Sequence, residues 1–267
     1  MDIGIISKKD DNSLSITKKL IDLLNGHNLY FDIELAQKLL HAKSLEEADR
    51  IDIIIWIGGD GTLLRYVNKI IRFKAKLLGI KTGGVGFLCE ISPEGLKDNL
   101  KLIFEGKYTL EGRSLLEVKN TNETYYALND AVLYSSELGR VSSFVVKKDE
   151  EEIFSGKCDG ILISTSLGST AYIASRGGPI VDPSLDVLIF DPLNPLKWGS
   201  RVLILPFNSK LEVVSSKNCK LVIDGNIITN VEVGSKIHIS GSEQKFQFIR
   251  LKKNFYEKVK SRMLKDV

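Results

Sequence analysis

The chain has 267 residues, enough for one large domain or two modest ones. Its 43% apolar and 27% charged residues are ordinary for a globular protein, and a net charge of +3 spread along the chain leaves no basic stripe for nucleic acid. No apolar run is long enough to span a membrane, and the first residues lack a basic-then-apolar leader, so a cytoplasmic protein with no membrane partner is expected. Cys89, Cys158 and Cys219 are far apart and odd in number. They form neither a metal spacing nor a disulfide framework, and suit a reducing compartment.

Asp2 to Ile6 reads as a first strand. Ser13 is placed to cap a helix whose apolar positions are Leu14, Ile16, Leu20, Leu23 and Leu24, closed by Gly26. Leu29 to Ile33 reads as a second strand, and Leu35, Leu39 and Leu40 as a short helix. Ile51, Ile53, Ile54, Ile55 and Ile57 then form a β-branched run expected to be a strand buried on both faces. Leu63, Leu64, Val67, Ile70 and Ile71 recur at helical spacing and predict one helix face. Between them, Gly58, Gly59, Asp60, Gly61 and Thr62 make a strand-to-helix turn.

The free amides of such a helix start favour an anion, and glycines let it approach the backbone. A carboxylate there would repel phosphate. Asp60 makes sense if it holds a metal ion or takes a proton from an attacking hydroxyl. An Asp that merely caps the helix beside turn glycines accounts for the same residues. No Gly-Lys-Ser/Thr follows, so this is not a Walker loop.

Leu77 to Ile80 is a further strand, and Lys81 to Leu88 a second glycine-rich turn that either lines the same crevice or links two domains. Pro93 opens a helix with Leu96, Leu100, Ile103 and Phe104 on its apolar face, closed by Gly106. Strands alternating with helices imply parallel βαβ units, which bind ligands at the carboxyl ends of their strands.

Near Tyr108 the period changes to short strands with tight turns. These are expected at Leu115–Val118, Thr124–Ser135, Phe144–Val146, Ile153–Phe154, Leu211–Val214, Leu221–Ile223, Ile227–Ile228 and Ile237–Ile239, with a hairpin turn at Asp224-Gly225. The expected organisation is an α/β domain with a parallel, Rossmann-like sheet over 1–107 and an antiparallel β-sandwich over 108–248. A segment over 249–267, helical from Phe255 to Leu264, packs back onto the first domain. Asn129-Asp130 inside a strand-like run marks either a bulge or a ligand contact. Ser155 to Ser175 is dense in small hydroxyls around glycine. It suits a polar, flat ligand such as a nucleotide, with Tyr172 able to stack on a ring, or it is a Ser/Thr-rich turn into a capped helix.

Taken together these residues resemble the NAD kinase family. Gly58-Gly59-Asp60-Gly61-Thr62 alone is shared with diacylglycerol, sphingosine and phosphofructokinase-type signatures. Asp159-Gly160, Ser164-Thr165, Gly168-Ser169-Thr170-Ala171-Tyr172 and Gly177-Gly178-Pro179 are more specific, with Asn129-Asp130 before them and Asp191-Pro192-Leu193 and Asp224-Gly225 after. The resemblance implies phosphoryl transfer to the 2′-hydroxyl on the adenosine side of NAD, giving NADP. ATP or polyphosphate would be the donor, with Mg²⁺ or another divalent cation. It implies Asp60 as catalytic base and Asp60, Gly61, Arg65, Asn129, Asp130, Arg140, Lys157, Asp159, Thr170, Ala171, Tyr172, Ser175 and Asn226 as NAD-binding. Gly58, Gly59, Gly61 and Thr62 would face the donor phosphates, with no metal ligand directly identified. A homodimer or homotetramer is implied, with NAD, NADP and ATP as ligands. Three positions depart from the family's pattern. Asp130 replaces a glutamate, Ser166-Leu167 a Pro-Thr pair, and Asn226 a glutamine. A lipid or sugar kinase sharing the glycine turn, and a non-catalytic NAD(P) sensor, are the rival readings.

Overall fold

The computed structural model describes residues 1–39, 42–84, 86–137, 139–197, 201–252 and 254–263. The chain divides into two compact units, Met1–Gly112 with Phe246–Val267, and Arg113–Lys245. The first contains β1 (Asp2–Ser7), α1 (Asp11–Leu23), β2 (Asn28–Phe31), α2 (Ile33–Lys38), β3 (Lys43–Ser44), β4 (Ile53–Ile57), α3 (Asp60–Leu64), α4 (Val67–Ile70), β5 (Lys76–Ile80) and α5 (Leu96–Phe104). The strands pair in parallel in the order β5-β4-β1-β2-β3. Every residue of β4 is buried. Gly79 of β5 lies beside Trp56 of β4, and a Cβ there would run into the indole. Ile16, Leu20 and Leu24 of the α1 segment and Leu96, Leu100 and Ile103 of α5 pack with Ile3, Ile5, Ile55, Ile57, Leu78 and Ile80 of the sheet.

Three local expectations change. Asp10, not Ser13, caps α1; its carboxylate accepts the Ser13 amide at 2.8 Å, so Ser13 sits inside the first turn. Ile33 begins α2 rather than ending β2, because Asp32 caps that helix. The helix expected from Leu63 to Ile71 is broken. Tyr66 turns to φ −109° and ψ −3°, in the bridge region, and Ile71–Phe73 form a 3₁₀ turn. Leu63, Val67, Ile70 and Ile71 are nevertheless all buried, so the spacing reported the face and not the continuity of the backbone. Leu40 lies outside the described residues.

β6 (Thr109–Lys119) carries the chain into the second unit. There follow β7 (Thr124–Ala127), β8 (Asp130–Ser135), β9 (Ser142–Lys148), β10 (Glu151–Cys158), β11 (Gly160–Thr165), a 3₁₀ turn at Leu167–Thr170 and α6 (Tyr172–Ser175). Then come β12 (Val187–Leu193), β13 (Leu203–Pro206), β14 (Lys210–Ser215), β15 (Cys219–Ile223), β16 (Asn226–Val231) and β17 (Lys236–Arg250). One antiparallel sheet has the order β13-β12-β11-β8-β15-β16. Its Leu133, Ile161, Ile163, Phe190 and Leu221 share a core with Phe144, Val146, Leu211, Val213 and Ile237 from β9, β14 and β17. Asp224 and Gly225 join β15 to β16 with φ of +48° and +78°, as a two-residue hairpin turn requires. β12 and β13 were not among the expected strands; Asp191, Pro192 and Pro206 are poor strand residues.

From Phe246 the chain belongs to the first unit again. Gln247 and Phe248 of β17 pair in parallel with Lys76 and Leu77 of β5, and α7 (Phe255–Met263) follows. Leu264, the expected end of that helix, lies outside the described residues. Both unit boundaries fall inside long strands, at 112/113 in β6 and 245/246 in β17, whereas the expected organisation had them at 107/108, where the sequence period changes, and at 248/249.

Candidate active site

In the first unit the site begins where β4 stops. Gly58 has φ +148°, and a Cβ on it would collide with Thr62 Oγ1. Gly59 is the N-cap of α3 with no side-chain cap, and Asp60 is the first helical residue. Gly59, Gly61 and Arg65 are exposed, while Asp60 and Thr62 are half-buried. A Cβ on Gly59 or Gly61 would meet nothing within 4 Å, so this stretch of backbone is open to a ligand.

The Asp60 carboxylate does not cap its own helix. Oδ2 accepts the Phe87 amide at 2.7 Å and Oδ1 accepts the Leu88 amide at 3.1 Å. Both amides belong to the second glycine-rich turn, which therefore meets the first. An ideal Cβ on Gly86 would lie 2.6 Å from Asp60 Oδ1, so the close approach needs glycine. A carboxylate oxygen accepts about two hydrogen bonds. Oδ1 also faces Cys89 Sγ at 3.9 Å, whereas Oδ2 has taken one amide only and keeps acceptor capacity for a ligand hydroxyl. Further along, Thr82 accepts hydrogen bonds from Ser13 Oγ and Asn12 Nδ2, both at 3.2 Å, which ties the turn to the first turn of α1.

The 87–89 stretch is anchored by residues from β17 and α7. Lys258 Nζ donates to Phe87 O at 3.0 Å and Cys89 O at 2.8 Å. Arg250 Nη1 donates to Leu88 O at 2.6 Å, and its Nε donates to Glu111 at 2.6 Å. Cys89 Sγ donates to Gly58 O at 3.4 Å. Burial, with Asp60 nearby, pushes that thiol up to about 12, so it stays protonated. Sequence reasoning missed Lys258 and Arg250, which have no local signal linking them to residues 87–89.

In the second unit Asp224 organises the other cluster. Its carboxylate accepts the amides of Leu128 at 2.8 Å, Asn129 at 2.7 Å and Asp130 at 3.1 Å. Thr165 Oγ1 donates to Leu128 O at 2.7 Å and Ser164 Oγ to Asn129 O at 2.9 Å. Gly168 packs so closely on Asn129 O and Ser164 Oγ that a Cβ has no room. Asn129 thus sits in a fixed gap between β7 and β8 and is no bulge within one strand. Asp130 is buried. Burial first, then repulsion from Asp224, pushes its carboxyl up to about 7. Burial likewise pushes Asp224 up to about 6, opposed by the three amides. Asn226 Nδ2 reaches Asp224 O at 3.3 Å.

A second chain of polar contacts joins Asp159 to the α6 region. Asp159 accepts from Asn194 at 2.8 Å, Asn194 accepts from Arg176 at 3.3 Å, and Arg176 Nε binds Asp191 at 2.5 Å. The Tyr134 and Tyr172 hydroxyls meet at 2.5 Å, and burial raises the Tyr134 phenol first, with this contact adding to it. Ala171 is half-buried, its amide on Gly168 O at 2.9 Å. The buried Thr170 donates to Leu167 O at 3.0 Å and the exposed Ser175 to Tyr172 O at 2.8 Å, so both hydroxyls already serve the local backbone. Lys157 is exposed on β10. Arg140 is exposed and pairs with Glu137 at 3.8 Å. Asp224, Arg176 and Asn194 were not expected in the site. The first stands in the sequence as a hairpin turn and as part of the motif order that carries the resemblance, with no role for its carboxylate.

Residues 32–108 match the family model of the ATP-NAD kinase N-terminal domain, and residues 128–251 that of its C-terminal domain. The NAD kinase of Methanothermobacter thermautotrophicus is 34% identical over 99% of this chain and 96% of its own. The chain belongs to the NAD kinase family. Its activity is that of an NAD kinase. An NAD kinase from Archaeoglobus fulgidus solved in complex with ATP superposes with a TM-score of 0.80 at 28% identity, covering 98% of this chain and 99% of that one. A yeast NADH kinase complexed with NADH shares the fold, with a TM-score of 0.84 at 22% identity over 99% of this chain and 87% of that one. The rival readings as a lipid or sugar kinase or a non-catalytic sensor find no support in these relatives.

Proposed function

We propose that Asp60 accepts the proton of the 2′-hydroxyl on the adenosine ribose of NAD as that oxygen attacks the terminal phosphorus of ATP. The O–P bond forms at the ribose, the bridging O–P bond of the donor breaks, and ADP leaves with the electron pair. The observation that carries this reading is the Asp60 carboxylate, fixed by two amides yet half-exposed and still able to accept a hydrogen bond. Phosphoryl transfer is mostly positioning and charge neutralisation, which a fixed carboxylate beside an open glycine backbone serves. Gly58, Gly59, Gly61 and Thr62 would face the donor's phosphates, and Arg65 would contact the NAD.

The divalent cation, Mg²⁺ in the first instance, would travel with the donor. Mg²⁺ is bound chiefly by phosphate oxygens and water, with few protein carboxylates, and among the described residues no group of three or more His, Cys, Asp or Glu side chains is placed to hold one. When bound, it would neutralise phosphate charge. Asn129 and Asp130, with Asp159, Tyr172 and their neighbours, would bind the dinucleotide.

No described helix is long and apolar enough to cross a membrane, and the cysteines are buried free thiols, which suits the proposed cytoplasmic setting. A homo-oligomer is favoured by exposed Ile204 and Ile227 on β13 and β16, the two edges of one sheet of the second unit. The deciding test is NADP formation from NAD with ATP and Mg²⁺ by the wild type and by Asp60→Asn. Turnover in the first and none in the second is expected, with NAD binding retained. Wild-type rates in the variant would overturn the assignment of the base.

A further inference from the structure

We infer that Lys258 is a positioning residue for Asp60, acting through the one peptide group that joins Phe87 to Leu88. At one end of that peptide the Phe87 carbonyl accepts from Lys258 Nζ at 3.0 Å; at the other, the Leu88 amide donates to Asp60 Oδ1 at 3.1 Å. The same ammonium also holds Cys89 O, and Arg250 holds Leu88 O between them. Cations thus occupy three consecutive carbonyls, while the carboxylate takes the Phe87 and Leu88 amides. Hydrogen bonds arranged in this sense polarise one another. The inference rests on Asp60 being the proton acceptor.

The local sequence explains why such an anchor is needed. Gly83, Gly84 and Gly86 give this turn little intrinsic preference for one conformation. Asp60 takes its orientation from the turn, so what fixes the turn fixes the carboxylate. Arg250 is partly committed elsewhere, to Glu111 at 2.6 Å and Glu90 at 3.3 Å. Lys258 directs its donors to the turn's own carbonyls.

Burial, then repulsion from Arg250, pulls the Lys258 ammonium down to about 8, with Glu90, Asp60 and Cys89 acting in the opposite sense. Lys81, Lys252 and Glu257 line the same cleft. Loss of the Lys258 charge in mildly alkaline solution would weaken both carbonyl contacts and the polarisation of the Leu88 amide.

The experiment is the pH profile of kcat, with KM for NAD, for the wild type, Lys258→Met and Lys258→Arg. Misplacing a reacting group by about 1 Å can lower rate roughly 100-fold. Lys258→Met is expected to lose about 10- to 100-fold in kcat near pH 7, with KM within about twofold. Lys258→Arg should recover part of that loss. It should also lack the fall in kcat expected of the wild type above about pH 8, because a guanidinium does not deprotonate there. A wild-type kcat in Lys258→Met from pH 6 to about 9, or the same alkaline fall in Lys258→Arg, overturns the inference. If Lys258→Met does not fold, the profile of Lys258→Arg decides alone. Asp60→Asn separates the two levels. Turnover retained in that variant removes the base and this role with it; turnover abolished there while Lys258→Met is silent removes this role only.

Discussion

Asp60 in the first unit and Asp224 in the second are held by the same device, backbone amides from a loop distant in sequence, and come to opposite ends. Asp60 accepts two amides and remains half-exposed. Asp224 accepts three, is only 8% exposed, and its carboxyl is pushed up by burial. A carboxylate that keeps acceptor capacity and solvent access can take a proton from a ligand. One that is enclosed becomes a fastening for the chain around it. The difference lies in the surroundings, since residue type and type of bond are the same.

The comparison breaks first, and most visibly, at Asp60. Asp60→Asn should abolish measurable turnover, a loss at or beyond the roughly 10²- to 10⁴-fold contribution of a positioned base, while the urea midpoint moves little. Asp224→Ala should do the reverse. Three buried amides would lose their acceptor at about 1–3 kcal/mol each, so a loss on the order of several kcal/mol is expected in urea unfolding. A midpoint close to wild type would mean the Leu128–Asp130 backbone has another partner.

Two glycines sharpen the contrast. Gly168→Ala forces a methyl against Asn129 O and Ser164 Oγ, and should cost about 1–3 kcal/mol of stability by overpacking. Gly86→Ala presses on Asp60 Oδ1 instead, and should show in kcat before it shows in the unfolding midpoint. If the two variants have the same ratio of activity loss to stability loss, the division of labour is wrong.

The smallest expected effect is on pH dependence. Asp130 is raised from the usual 3.8 to about 7 in the native state. Between those values the folded protein binds more protons than the unfolded one, so stability from this group falls as pH rises through that window. Urea midpoints compared at pH 5 and pH 7.5 should drop more for the wild type than for Asp130→Asn. Equal drops would mean the carboxyl is not enclosed as described.

Much of this was legible in the sequence. Ile53 to Thr62 announced a buried strand and an open turn because β-branched residues gave way abruptly to glycine. Asp224-Gly225 announced a hairpin because few other residues take φ of that sign. β12 and β13 were hidden because Asp191, Pro192 and Pro206 are poor strand residues, and pairing with β11 overrides that preference in β12. The partners of Asp60 were hidden for a different reason. Hydrogen bonds from Phe87, Leu88 and, one peptide further, Lys258 join positions that no local period connects. The role of the Asp224 carboxylate was hidden in the same way, because its three amide partners lie about ninety-five residues earlier in the chain.

The first unit draws on two stretches of chain, Met1–Gly112 and Phe246–Val267, with the whole of the second unit between them. On a ribosome, which adds roughly 5–20 residues per second, the second unit emerges entire before the last strand and helix of the first exist. During that interval the turn that orients Asp60 lacks Arg250 and Lys258, and β5 lacks its β17 neighbour. A chain that stops before Phe246 therefore lacks both cations that hold the carbonyls of residues 87–89.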